Sequence, residues 1–129
     1  MRLNQVTVPA RDIAASVAFY QALGLKLIVR EAHYARFECP DTDGGEPATF
    51  SVHLSEPSAA GGTVVYFEED DLDAAVARLT AAGMQIEGPA DQTWLWREAR
   101  LTDPSGNRVC LYKAGAARGF PPWRVGEGS

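Results

Sequence analysis

The chain has 129 residues, 46% hydrophobic and 22% charged, with a formal net charge of -5 at pH 7. That is enough chain to bury one core, and the composition is that of an ordinary globular protein. The acidic balance argues against nucleic acid as the main partner, because phosphate recognition needs a basic face; an anionic small molecule stays open, since one Arg in a cavity outweighs a distant net charge.

In chain order, Met1-Arg2-Leu3-Asn4-Gln5 lacks the apolar core of a signal peptide. A strand is predicted over 3–8 and a helix over 12–23, capped by Asp12 and stopped by Gly24. Strands follow at 25–30, 34–39 and 48–54, the last two separated by the turn Asp41-Thr42-Asp43-Gly44-Gly45. Residues 56–62, rich in Pro, Ser, Ala and Gly, read as a linker. A second strand–helix pair is predicted at 63–68 and 71–82, then strands at 85–87, 94–101 and 108–112, with Asp103-Pro104-Ser105-Gly106-Asn107 as the last turn. In the tail, Pro121 and Pro122 prevent regular structure, and Phe120 and Trp123 are expected to pack against the domain or a partner subunit. Gly126-Glu127-Gly128-Ser129 reads as disordered. No stretch approaches the roughly 20 apolar residues of a membrane span. Cys39 and Cys110 are isolated and read as reduced thiols, so the expected location is the cytoplasm.

The chain repeats itself. A shift of about 59 residues lays Val6 on Val65, Val8 on Phe67, Asp12 on Asp71, Val17 on Val76, Tyr20 on Leu79, Gly24 on Gly83 and Leu27 on Ile86. The stripes Ile13, Val17, Tyr20 and Leu72, Val76, Leu79 follow the same helical spacing. A cap, a stripe and a stop shared at one offset make chance similarity the weaker explanation.

Alternation along the strands then separates two faces. Phe50, Val52, Leu54, Val109 and Leu111 fall on one face, while Thr49, Ser51, His53, Arg108, Cys110 and Tyr112 fall on the other. Leu95, Ala99 and Leu101 oppose Trp94, Trp96, Glu98 and Arg100, with Arg97 breaking the pattern. Tyr66 joins the polar face. Large aromatics among polar residues suit a ligand cavity better than a plain solvated surface.

The run from Asp12 through Ser16, Phe19 and Tyr20 to Leu23-Gly24-Leu25, and the run Asp103-Pro104-Ser105-Gly106-Asn107 with Leu111-Tyr112, resemble signatures of the vicinal oxygen chelate superfamily, which holds glyoxalase I, bleomycin-resistance proteins and extradiol dioxygenases. Asp70-Asp71-Leu72-Asp73 is similar to the start of that group's second helix, and the resemblance covers about residues 2–113. It implies an α+β fold: two tandem βαβββ units in a curved mixed sheet around a cavity, helices on the outer face. The chain is then one glyoxalase-like domain over 1–129, with unit one at 2–55, linker 56–62, unit two at 63–113 and a tail at 114–129. It also implies a homodimer that binds a small molecule.

The resemblance places metal ligands on the first and last strands of each unit, here Gln5, His53, Val64 and Cys110. Gln5, His53 and Cys110 carry donors for Zn, Ni, Mn or Fe; Val64 carries none, which implies a metal that is absent or weakly bound. His53 is read either as a ligand or as a neutral, hydrogen-bonded cavity histidine, Cys110 either as a thiolate or as a small buried apolar group. Glu98 and Arg100 are read as a general base and an anion clamp, or as a simple pair. The catalytic candidates are Glu98 and His53; Gln5, Ser51, Tyr66, Trp96, Arg100 and Tyr112 are the ligand-binding candidates. Two functions follow: a glyoxalase-like lyase, isomerase or dioxygenase, or a non-catalytic binder that sequesters a compound.

Overall fold

A computed structural model describes residues 2–40, 45–55 and 63–126. The elements run β1 (Gln5–Ala10), α1 (Ile13–Leu23), β2 (Lys26–Arg30), β3 (Tyr34–Glu38), β4 (Thr49–Leu54), β5 (Val64–Glu68), α2 (Leu72–Ala81), β6 (Glu87–Asp91), β7 (Arg97–Thr102) and β8 (Arg108–Lys113), closed by a 3₁₀ turn at Gly115–Ala117. The fold is α+β, built as βαβββ twice, with four-stranded sheets ordered β1-β4-β3-β2 and β5-β8-β7-β6. In each, the first strand runs parallel to the last, and the hairpins are antiparallel.

The repeat extends to the hydrogen bonds. Asp12 accepts from Ala15 N at 3.0 Å and Asp71 from Ala74 N at 3.1 Å, each capping its helix. At the other ends Gly24 (φ 109°) and Gly83 (φ 96°) turn left-handed, and Leu25 N and Met84 N reach back to Tyr20 O and Leu79 O, both at 3.1 Å. Ile13, Val17 and Tyr20 are buried on α1; Leu72, Val76 and Leu79 are buried on α2. They cover Ala35, Phe37, Phe50 and Val52 in one unit and Ala99, Leu101, Val109 and Leu111 in the other.

The chain divides into two compact units, Met1–Thr63 with Thr102–Asn107, and Val64–Leu101 with Arg108–Ser129. The 103–107 turn, expected in the second unit, therefore belongs to the first. Asp103 is buried and accepts from Tyr20 Oη at 2.8 Å, Ser105 N at 2.9 Å, Asn107 N at 2.8 Å and Asn107 Nδ2 at 2.7 Å. Asn107 Nδ2 also donates to Pro9 O at 2.7 Å, and Arg11 N donates to Ser105 Oγ at 2.8 Å. What reads locally as a turn is a clasp on β1 and α1.

Two strands depart from the sequence reading. β6 lies at Glu87–Asp91, not 85–87, because an edge strand tolerates Pro89. Gly88 makes that possible: at φ 102° a Cβ there would meet Glu98 O at 2.8 Å, and the register shifts between Glu87 and Ala90. β7 begins at Arg97, so Trp94, Leu95 and Trp96 lie in the hairpin loop before it. Leu95, expected under the helix, has φ 70° and is exposed. Arg97 is on the helix side, bonded to Asp73 of α2 at 2.9 Å and to Asp91 at 3.0 Å, which explains its break in the alternation.

The tail packs only in part. Trp96 Nε1 donates to Ala117 O at 3.3 Å and Ala114 N to Glu68 Oε2 at 3.1 Å. Beyond that, Phe120 and Trp123 are exposed, against expectation, and the Phe120 ring meets only the Arg124 guanidinium, at 4.2 Å, among its ring contacts. The turn at 41–44, the linker at 56–62 and residues 127–129 lie outside the described residues.

Candidate functional site

The sequence-predicted residues fall into two groups, one per unit. In unit 2 the face away from α2 carries Tyr66 on β5, Cys110 and Tyr112 on β8, Glu98 and Arg100 on β7, and Trp96 just before β7. Tyr66 meets Trp96 edge-on at 5.9 Å and Tyr112 edge-on at 5.5 Å, while Trp96 and Tyr112 lie 4.8 Å apart at 30°. Tyr66 is 45% exposed, so the ring cluster opens to solvent.

Glu98, whose charge acts on Tyr66, has a side chain only 1% exposed. A carboxylate taken from water needs compensation. It receives it from Trp94 Nε1 at 2.7 Å and from Arg100 Nη2 at 3.2 Å. The bond to Glu98 raises the Arg100 pKa, and that guanidinium remains 58% exposed. Cys110 lies buried beside Glu98. Burial first, then the Glu98 charge, push its thiol up to about 12, against the lowering pull of Arg100. At neutral pH it is a protonated thiol, neither nucleophile nor metal-ready thiolate. Trp94 was assigned to this face by strand alternation; it reaches Glu98 from a loop instead, a loop closed by Gln92 N to Trp96 O at 2.8 Å. A depression of about 440 Å³ at the end of the same hairpin is bordered by Gln92, Leu95, Trp96, Lys113 and Gly115, and of the predicted residues it takes only Trp96.

In unit 1, Gln5 Nε2 donates to Ser51 Oγ at 3.0 Å and to Thr7 Oγ1 at 3.1 Å. Thr49 Oγ1 donates to Gln5 Oε1. Ser51 also bonds Tyr34 Oη at 2.6 Å, and Arg36 Nε donates to Tyr34 Oη at 2.8 Å. Tyr34 and Arg36 escaped the sequence reading, although alternation in 34–38 sets both opposite the buried Ala35 and Phe37.

The strand register separates His53 from this group. Thr7 pairs with Ser51 as Tyr66 pairs with Cys110, and Pro9 pairs with His53 as Glu68 pairs with Tyr112. Ser51 is thus the repeat counterpart of Cys110, and His53 occupies the place of Tyr112. His53 is exposed, with its ring 6.4 Å from that of Tyr34.

Comparison with known proteins fixes the lineage. The Glyoxalase/Bleomycin resistance protein/Dioxygenase superfamily matches residues 2–111. The chain belongs to this superfamily. A search of curated proteins finds no match. Among solved structures, a bleomycin-binding protein complexed with bleomycin matches at TM-score 0.69 and 22% identity, covering 88% of this chain and 98% of that one. A lactoylglutathione lyase from Agrobacterium tumefaciens matches at 0.74 and 20%, covering 92% and 97%. A glyoxalase/bleomycin resistance protein/dioxygenase from Nocardioides matches at 0.73 and 25%, covering 98% and 90%.

Superfamily members commonly bind divalent metals, and the donors here do not fit one. Val64 is aliphatic, and the Cys110 side chain is buried. The Gln5 amide is engaged by Ser51, Thr7 and Thr49. Ser51 stands where His53 was expected. Among the described residues no group of three or more His, Cys, Asp or Glu is placed to hold a metal ion.

Proposed function

We propose that this superfamily member binds a small, flat organic molecule on the aromatic face of unit 2 and sequesters it unchanged. The observation that carries the reading is the open cluster of Tyr66, Trp96 and Tyr112, with Tyr66 in the field of the Glu98–Arg100 pair. Rings set edge-on and offset offer a stacking corner, and the pair supplies a polar edge without net charge. In this reading Tyr66, Trp96 and Tyr112 hold the ligand plane, Arg100 orients its polar rim and Glu98 fixes Arg100. The burial of Cys110 and the lack of a donor at Val64 both favour binding over metal-assisted chemistry. A second reading, metal-free acid–base catalysis by Glu98, draws support from that carboxylate's burial beside the ring cluster.

The protein is read as cytoplasmic, in keeping with free thiols at Cys39 and Cys110; among the described residues no helix is long and apolar enough to cross a membrane. It is read as a homodimer, since Phe120, Trp123 and Val125 are exposed apolar side chains. Titration with bleomycin, the ligand of one structural neighbour, and with a panel of planar aromatic compounds tests the function through tryptophan fluorescence. At least one compound should bind saturably, be recovered chemically intact, and lose about tenfold in affinity in Trp96→Ala. Conversion of the compound, abolished in Glu98→Gln with binding retained, would replace the binder by the enzyme. In light scattering the same samples should have the mass of a dimer.

A further inference from the structure

The face of unit 1 away from α1 carries a network of side-chain hydrogen bonds that includes an exposed arginine. Arg36 Nε donates to Tyr34 Oη at 2.8 Å, and its guanidinium carbon lies 5.4 Å from the Tyr34 ring centre. The Tyr34 hydroxyl is hydrogen-bonded to Ser51 Oγ at 2.6 Å, a bond in which either oxygen can donate. Ser51 Oγ also accepts from Gln5 Nε2, Thr7 Oγ1 accepts from the same amide, and Gln5 Oε1 accepts from Thr49. The Thr7 hydroxyl proton and the two terminal nitrogens of Arg36 have no acceptor among the described residues and are free for a ligand. Thr7 and Arg36 are both exposed. Arg97, Arg100 and Arg118 each have a carboxylate partner, whereas among the described residues Arg36 has none. Glu38, two residues along the same strand face, forms no ion pair with it.

An exposed guanidinium held by its Nε, with no carboxylate partner among the described residues for its terminal NH₂ groups, is half of a bidentate pair. Its complement is a group that only accepts hydrogen bonds and carries negative charge. We propose that this face is an oxyanion-binding site that takes the carboxylate or phosphate group of a small molecule. Arg36 is its bidentate anchor, Thr7 a supporting donor, and Tyr34 the residue that holds the guanidinium in place through Ser51 and Gln5. The site is independent of the aromatic face of unit 2, and the two readings fail separately, one by tryptophan fluorescence and the other by unit 1 amide shifts.

The test is a ¹⁵N-correlation titration of the full chain with inorganic phosphate, and separately with acetate, at ionic strength held constant with sodium chloride. Saturable shifts are expected at the amides of Thr7, Tyr34, Arg36 and Ser51 with at least one of the two anions. Arg36→Met should weaken that binding about tenfold, the loss of one charge-assisted contact. Arg36→Lys should fall between, because it keeps the charge without the fork. Tyr34→Phe should weaken binding about threefold by freeing the guanidinium, and it guards against a folding defect in the Met variant. Saturation by phosphate alone assigns a phosphoryl group, and saturation by acetate alone or by both assigns a carboxylate or a general oxyanion. No saturable shift with either anion, shifts spread evenly over all basic residues, or equal affinity in wild type and Arg36→Met would overturn the proposal.

Discussion

The two units share a scaffold and differ in what they expose. Each helix is capped by an aspartate and stopped by a left-handed glycine, and each parallel strand pair keeps the same register. On the face away from the helix, unit 1 carries an amide, hydroxyls and a guanidinium with no carboxylate partner among the described residues, while unit 2 carries three rings and a buried carboxylate. The difference follows from period-two alternation: residues facing the helix are fixed by packing, while those facing away are free to diverge. The units also differ in closure, because unit 1 is clasped by residues 103–107, nearly a hundred positions from β1.

The clasp is where the comparison breaks with the largest effect. Asp103→Ala removes the acceptor for Tyr20, Ser105 and Asn107 from a buried site. The expected loss is about 3–4 kcal/mol in urea denaturation, typical of dismantling a buried hydrogen-bond network. Hydrogen exchange should show protection falling in α1 more than in α2. Equal loss in both helices would mean that the clasp belongs to the whole chain rather than to unit 1.

This same feature marks the limit of what was legible in sequence. Local signals were readable: the stripes of α1 and α2, Gly24 and Gly83, and the alternation within each unit that sets Ser51 opposite Phe50 and Val52 and sets Cys110 and Tyr112 opposite Val109 and Leu111. Asp103 reads as a turn former because its partners Tyr20 and Pro9 are distant in the chain, and no local rule reports them. Trp94 was set on a strand because nothing local signals that Leu95 adopts positive φ in the hairpin loop. His53 was set beside Gln5 because alternation gives the face but not the register, and only the pairing of Thr7 with Ser51 decides it. The pairs Tyr34–Arg36 and Trp94–Glu98 are contacts between side chains whose residue types also serve as ordinary surface, so composition alone does not single them out.

The two thiols sharpen the comparison at intermediate size. Cys39, half-buried in unit 1, is raised by desolvation alone, whereas Cys110 is raised to about 12 by burial and then by Glu98. A thiol whose folded pKa lies above its ordinary value of 9.0 stabilises the fold fully below that pH. The unfolded chain then releases its proton first, so stability falls as pH climbs from 9.0 towards about 12. For Cys110 the fall at pH 10 is roughly 1.4 kcal/mol, the equivalent of one pH unit. Cys110→Ala should flatten the alkaline slope of the unfolding free energy by about that amount, and Cys39→Ala by less. A slope that responds equally to both would remove Glu98 from the account. Tyr20, raised by burial and by Asp103, should leave a residual slope in each variant.

The smallest effect compares the two caps. Asp12 and Asp71 make the same bond, so alanine at either should cost about 1 kcal/mol. The costs should not be equal. α2 has Asp73 in its first turn and Arg78 in its last, both placed to favour the helix dipole, while α1 has no acid in its first turn and no base in its last. With Asp71 gone, Asp73 still sets a negative charge near the free N–H groups of α2, although Arg97 at 2.9 Å draws part of that charge away. With Asp12 gone, no acid remains in the first turn of α1. Asp12→Ala should therefore cost a few tenths of a kcal/mol more than Asp71→Ala in urea denaturation at low salt. The gap should close in Asp73→Asn or at high ionic strength, where the dipole interaction is screened. A gap that survives both conditions would come from packing of α1 against its sheet rather than from charge.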